Sequence, residues 1–327
     1  MKTNLIITLI LFLIMVFFPI ITLIDREEKN LTDSSAGTTV SDVKNAETTQ
    51  HEEKVSEKVS LIVSATGKMT EMSVEEYVYG AVCAEMPASF HIEALKAQAV
   101  ASYTYMKWLK ENADNPSSDI TDNSAVHQAF VTDSELKEKW GSSYEIYSQK
   151  VKEAVGSVLY EYLVFEGETA MTVFHGLSPG KTADSEEIWK SALPYLQSVT
   201  APGDKLSPEI TTKTEFSKEE FVKIFDGAKA EDYDGIIKGI NKNEDGFINS
   251  ITFKEKTLLP SDIRSALNLN SPFIKADKSE SGISLTVYGK GHGVGMSQYS
   301  ADYMARQGST YKEILAHFYK GTELVSG

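Results

Sequence analysis

The chain opens on an apolar run from Leu5 to Ile24 that contains no charged residue. As a helix rising 1.5 Å per residue, such a run spans roughly 30 Å, the thickness of a bilayer's hydrocarbon core. Pro19 to Ile24 lead straight into Asp25-Arg26 without a small-residue cleavage site, so the run predicts an uncleaved anchor rather than a signal peptide. Residues 25–60 are rich in Glu, Lys, Thr, Ser and Asp and predict a flexible, solvated tether. Periodic apolar patterns begin at Leu61-Ile62-Val63, the start of a strand. Ser73 and Glu76 then form a capping box ahead of Tyr77, Val78 and Val82, and Pro87 ends that helix by forcing Met86 out of the helical region. Ile92, Leu95, Ala99, Met106 and Leu109 recur on one face and predict a second helix over residues 92–109. The polar stretch 111–122, with Pro116, reads as a loop.

Downstream, residues 144–155 predict a helix, and 159–165 and 170–175 two strands about the turn Glu166-Gly167-Glu168. The block 205–285 predicts a separate lobe, with a short helix near 219–225 and strands at 249–253 and 283–288. The last strand runs into a glycine loop, Gly289–Gly295, followed by a helix over 297–306 that stops at Gly308. Thr310 and Glu313 cap a final helix that Gly321 closes. The pattern predicts an α+β domain over residues 61–327, a mixed central sheet with packed helices, preceded by one N-terminal transmembrane helix (1–24) and a disordered tether.

Composition narrows the function. Hydrophobic residues at 41% and charged residues at 24% are enough for a folded core. A net charge of −15 with no basic stripe repels nucleic acid, which is set aside as a partner. A single cysteine, Cys83, forms no internal disulfide and reads as a small buried side chain. Charges flanking the apolar run are weakly biased, so the domain is placed outside the cell on the strength of its chemistry.

That chemistry centres on Glu85, in Ala84-Glu85-Met86-Pro87 at the C-terminal end of the first helix. The negative end of the helix dipole, with Val82, Met86 and Phe90 alongside, disfavours the charged form and raises its pKa. A carboxyl group protonated near neutral pH is what protonation of a glycosidic oxygen requires. Position alone leaves a solvated glutamate at a frayed helix end as the commoner alternative. Asp184, Glu186 and Glu187 are candidates for a second carboxylate, or simply acids gathered at a helix start. The loop Gly289-Lys290-Gly291-His292-Gly293-Val294-Gly295 matches neither nucleotide-binding glycine pattern. It reads as a tight turn that brings His292 to a groove, where it binds sugar or serves structure alone. Asn241 to Gly246 resembles half a calcium loop but has Thr252 where the bidentate glutamate belongs, and so reads as a turn. No metal site and no cofactor are expected.

Three blocks resemble the stage II sporulation protein D family. They are Tyr77 to Pro87 with Glu93 to Ala101; Phe174-His175 with Gly180-Lys181-Thr182, Ser185 to Trp189 and Leu193 to Leu196; and Gly289 to Tyr299 with Tyr311 to Leu315 and Phe318-Tyr319. The resemblance implies a lytic transglycosylase that cleaves the N-acetylmuramic acid–N-acetylglucosamine bond of peptidoglycan without water, leaving a 1,6-anhydro end. The family's catalytic glutamate falls on Glu85. Lys96, His175, Lys181, Ser185, His292 and Gln298 are the substrate-binding candidates. The resemblance also implies glycan strands stripped of stem peptides as substrate, and partners like stage II sporulation proteins P (an amidase) and M (a membrane protein). It places the chain at the engulfing mother-cell membrane during sporulation. Related domains are amidase enhancers, which makes a non-catalytic, wall-binding role the alternative. Two departures bear on this choice: Tyr103 stands where the family has arginine, and Gly176-Leu177-Ser178-Pro179-Gly180 replaces Ser-Thr-Ser-Gly-Gly. Lys96 or Lys181 is expected to supply the missing positive charge. Some members carry a Cys/His zinc site, of which this chain keeps only His127.

Overall fold

A computed structural model describes residues 58–113, 120–124, 126–189, 191–279 and 281–327. The expected anchor at Leu5–Ile24 lies outside the described residues, as does the tether up to residue 57. Residues 58–60, expected in the tether, already belong to the first strand. This strand, β1 (Lys58–Val63), buries Val59 and Leu61, pairs antiparallel with β2 (Lys68–Ser73) and parallel with β3 (Ile120–Thr121). Among the described residues no helix is long and apolar enough to cross a membrane.

Ser73 ends β2 and caps α1 (Val74–Glu85). Its hydroxyl accepts from the Glu76 N–H at 3.2 Å, and the Glu76 carboxylate accepts from the Ser73 N–H at 2.9 Å. Met86, ahead of Pro87, leaves the helix with φ −122° and ψ 135°, as the proline dictates. The helix α2 (Ile92–Glu111) follows, then α3 (Asp133–Trp140) and α4 (Tyr144–Ser157). The chain continues through β4 (Glu161–Phe165), β5 (Glu168–Thr169), β6 (Phe174–His175) and α5 (Ser185–Trp189). Next come β7 (Thr211–Ser217), α6 (Lys218–Phe221), α7 (Tyr233–Lys238), β8 (Ile240–Lys242), β9 (Ile248–Phe253), β10 (Lys256–Leu258) and α8 (Pro260–Leu267). Then β11 (Phe273–Lys278), β12 (Gly282–Tyr288), β13 (Met296–Ser297), α9 (Gln298–Arg306), α10 (Tyr311–Phe318) and β14 (Glu323–Ser326) complete the order.

The fold is α+β, but the expected central sheet is not formed. The strands make five small sheets of two or three strands among the described residues. The centre is instead α2, packed against α1, α4, β4, α9 and α10. The sequence pattern predicts one apolar face for this helix, yet from Ala94 to Thr104 every residue but Lys96 is buried. Ala94, Ala97, Ala99, Ala101 and Ser102 are small enough to admit neighbours on all sides, so short strands assemble around a helix instead of a sheet. The strand expected at 170–175 shrinks to Phe174–His175 because other partners take the preceding polar groups. Ala170 N–H bonds Leu163, Met171 N–H the Tyr195 hydroxyl, and the Thr172 hydroxyl donates to the Ala101 carbonyl. A second buried cluster, including Phe221, Tyr233, Ile236, Ile251, Ile263 and Leu285, forms where β7 to β12 pack with α6 to α8. Asn243 to Gly246 make the turn between β8 and β9, while Asn241 and Lys242 belong to β8 itself.

One buried side chain fastens three separate segments. Asp204 is fully buried, and one of its oxygens accepts from both the N–H and the hydroxyl of Ser178 at 2.7 Å. The other accepts from the hydroxyls of Ser297 and Ser300 at 2.6 Å. Ser178 follows β6, Ser297 ends β13 and Ser300 lies in α9. Replacing Asp204 by alanine strands these donors in the core and is expected to cost about 3 kcal/mol or more. A fall in the urea midpoint measures the loss; an unchanged midpoint contradicts the role.

Candidate active site

Glu85, the last residue of α1, is half-buried. Its Oε1 accepts from the Ala129 N–H at 2.7 Å. Burial raises its pKa above the ordinary glutamate value of 4.5, and the Ala129 N–H and the Lys290 ammonium pull the other way without cancelling the effect. Ala129 belongs to a loop folded across the helix. Phe130 of that loop stacks on Tyr77, with ring centroids 6.0 Å apart. The Gln128 side-chain amide donates to the Tyr77 hydroxyl at 3.0 Å and to the Ser102 carbonyl at 3.1 Å. Gly80 makes the approach possible, since a Cβ there would stand 2.3 Å from the Phe130 ring. Sequence reasoning missed Gln128, Ala129 and Phe130. The available signal was Gly80 itself, because a glycine inside a helix costs about 1 kcal/mol relative to alanine and calls for a packing reason.

The glycine loop forms a second wall. It lies along residues 173–177, with Leu177 N–H bonded to the Lys290 carbonyl at 3.1 Å and Lys290 N–H to the Leu177 carbonyl at 2.8 Å. Gly291 and Gly295 both have positive φ, and a Cβ would stand 2.8 Å from the His175 Cβ at the first and 2.0 Å from the Val173 carbonyl at the second. His175 is buried, and its Nδ1 lies 3.1 Å from the Val294 carbonyl. A carbonyl only accepts, so Nδ1 carries the proton and Nε2 presents a bare lone pair. That Nε2 and the Gln128 Oε1 are buried acceptors without a protein partner among the described residues. Burial lowers the His175 pKa to about 4. His292 Nδ1 accepts from the Val294 N–H at 3.1 Å. The Phe174 backbone engages the same ring, while burial, with His175 and Arg264 adding, lowers its pKa to about 3. Both imidazoles are therefore neutral at pH 7, and backbone groups hold the His292 ring.

The other expected residues divide. Gln298 donates to Gln98 at 3.1 Å, and Gln98 to the Ser102 hydroxyl at 3.1 Å, so a chain of hydrogen bonds runs from α9 to the loop that covers Glu85. Lys96 is instead held by Glu93 at 2.8 Å, and Glu93 also accepts from the Tyr311 N–H at 2.8 Å. Lys181 is exposed, with its backbone bridged to Thr200. The cation acting on Glu85 is thus Lys290, rather than Lys96 or Lys181. Ser185 is buried and its hydroxyl accepts from the Leu193 N–H at 2.9 Å, which fastens the α5 loop. Asp184 accepts from the Ser198 N–H at 2.9 Å, while Glu186 and Glu187 are exposed in the first turn of α5. Tyr103 is buried edge-on against Tyr160 and Tyr162, with centroids 5.9 and 6.3 Å away. His127 Nδ1 accepts from the Thr121 N–H at 3.1 Å, and among the described residues no three His, Cys, Asp or Glu side chains cluster to hold a metal. Cys83 is buried, which pushes its thiol up to about 12 and leaves it unreactive.

Fold and site together define a class: an α+β protein with a half-buried carboxyl group at a helix end, whose charged neighbour is a lysine of a glycine loop. Residues 63–165 match the protein family SpoIID, described as Stage II sporulation protein. The chain is 34% identical to Stage II sporulation protein D of Bacillus subtilis (strain 168), over 89% of this chain and 88% of that protein. It is also 34% identical to Stage II sporulation protein D of Bacillus amyloliquefaciens, over 88% of this chain and 83% of that protein. The chain belongs to the stage II sporulation protein D family, a family of sporulation proteins. The amidase enhancer of Bacillus subtilis (strain 168) is more distant, 26% identical over 76% of this chain and 40% of that protein.

Two outcomes follow for stability. A folded-state pKa above 4.5 means that folded Glu85 holds its proton more tightly than the unfolded chain does, so its ionisation destabilises the fold as pH rises above 4.5. Glu85→Gln keeps an acceptor for Ala129 and removes that ionisation. Thermal melting should show the variant gaining on the wild type from pH 4.5 upward, with no such gain below; a gap that narrows with rising pH contradicts the shift. Gly80→Ala should destabilise by about 1–3 kcal/mol through overpacking against Phe130, despite alanine's better helix propensity. Stabilisation in urea melts would show that Phe130 does not need this space.

Proposed function

We propose that the protein is a peptidoglycan lytic transglycosylase with Glu85 as its acid and base. The observation that carries the reading is a half-buried carboxyl group with a raised pKa that accepts a hydrogen bond from the Ala129 N–H. Protonated, Glu85 gives its proton to the oxygen between N-acetylmuramic acid and N-acetylglucosamine, and that C–O bond breaks. The carboxylate that forms keeps the Ala129 N–H and the nearby Lys290 charge. It then takes the proton of the muramic acid 6-hydroxyl as that oxygen bonds C1 and closes the 1,6-anhydro ring. No water is consumed and Glu85 ends protonated, so one carboxyl group serves both steps. A lysine as charged neighbour fits this better than it fits hydrolysis by a carboxylate pair.

The same reading makes glycan strands stripped of stem peptides the substrate. An amidase like stage II sporulation protein P would supply them, with a membrane protein like stage II sporulation protein M as a further partner. It places the domain of residues 61–327, with its lobe at 205–285, outside the cell on the apolar run Leu5–Ile24. There it acts at the engulfing membrane. A second reading, a non-catalytic amidase enhancer that binds the wall, draws on that more distant relative and on Tyr103, which is buried among tyrosines.

Mass spectrometry of strand ends separates the two. The full-length chain should release anhydro-ended fragments from denuded peptidoglycan, and Glu85→Gln should lower the rate by about 10²–10⁴-fold. Undiminished product from Glu85→Gln rules out the assignment. Product that appears only when an amidase is added favours the enhancer reading.

A further inference from the structure

Trp189 is a large apolar side chain left 36% exposed at the end of α5. Its indole lies 5.3 Å from the His292 ring, at 51° between planes. His292 is in turn 6.0 Å from His175, whose bare Nε2 has no protein partner among the described residues. It also follows by two residues Lys290, the cation acting on Glu85. The exposed indole therefore lies beside the glycine loop that carries Lys290.

Backbone groups hold the support. Val294 N–H and the Phe174 backbone engage the His292 ring beside the indole. The α5 loop is tied down by Ala183 N–H on the Gly293 carbonyl at 2.8 Å and Ser185 N–H on the Leu196 carbonyl at 3.0 Å. A half-exposed indole on a fixed, uncharged support suits a ligand with a flat apolar face and polar edges. Pyranose rings have that form: their C–H groups stack on an aromatic face while hydroxyl and acetamido groups hydrogen-bond at the rim. Holding the indole in place before the ligand arrives avoids an ordering cost on binding.

We infer that Trp189 is a sugar-stacking residue, supported by His292, that seats one pyranose ring of the glycan strand beside the reacting bond. This deepens the transglycosylase reading and rests on it for the substrate class. Trp189 is a positioning residue, and His292 acts through it rather than by donating to sugar.

The test is calorimetric titration of a β-1,4-linked N-acetylglucosamine hexamer into the full-length chain carrying Glu85→Gln, which binds without turnover. Adding Trp189→Ala should weaken binding by about tenfold, and Trp189→Tyr should restore most of it. In chains with Glu85 intact, Trp189→Ala should raise KM more than it lowers kcat. Equal affinity for the alanine variant overturns the inference. So does a tyrosine variant as weak as alanine, because the side chain would then only prop the loop. Failure of the Glu85→Gln chain to bind the hexamer at all overturns it too. The two readings separate cleanly: anhydro products with unchanged alanine-variant affinity remove only the stacking role, while Trp189-dependent binding without cleavage removes only the Glu85 chemistry.

Discussion

The buried carboxyl group of Asp204 is the point on which the geometry of the site depends. Four neutral donors from Ser178, Ser297 and Ser300 converge on its two oxygens. They tie the loop after β6 and the junction of β13 with α9 to the segment that carries Asp204. His175 and Gln298 sit on those same elements, and the glycine loop is threaded between them. That fastening adds to the backbone bonds that hold the glycine loop against residues 173–177.

Glu85 shows the same functional group used in the opposite way. Asp204 has both oxygens engaged by protein donors, whereas among the described residues Glu85 accepts from one, the Ala129 N–H. The acceptor capacity that remains is available to a ligand. Burial raises the Glu85 pKa against the opposing pull of that N–H, and that burden on stability is offset elsewhere, in the all-round burial of α2. The hydrogen-bonded chain Gln298–Gln98–Ser102–Gln128 passes through α2 and links the glycine-loop side of the site to the loop covering Glu85. The two walls are thus positioned by one helix.

Local signals in the sequence predicted local structure well. The capping boxes at Ser73 and Thr310, the helix stop before Pro87 and the turn at Gly289–Gly295 each depend on a few neighbouring residues, and each forms as the pattern predicts. What depends on distant partners was not legible. The arrangement around α2 was missed because periodicity reports one apolar face and cannot show that small residues let every face be covered. Glu85 and its raised pKa were legible, but not the hydrogen bond from Ala129 or the loop of Gln128 to Phe130, more than forty positions away. Lys290 was passed over in favour of Lys96 and Lys181, since linear sequence does not reveal that Glu93 already holds Lys96. Asp204 gave no signal, because its donors are serines scattered over more than a hundred residues.

The most direct test is the titration of Glu85 itself. Carbon-13 NMR of the side-chain carboxyl groups, with the Glu85 resonance identified by its loss in Glu85→Gln, reads the protonation midpoint in the folded chain. Burial under the loop predicts a midpoint clearly above 4.5. A midpoint at or below 4.5 would mean that the Ala129 N–H and Lys290 outweigh burial, and a proton donor at this position would be contradicted.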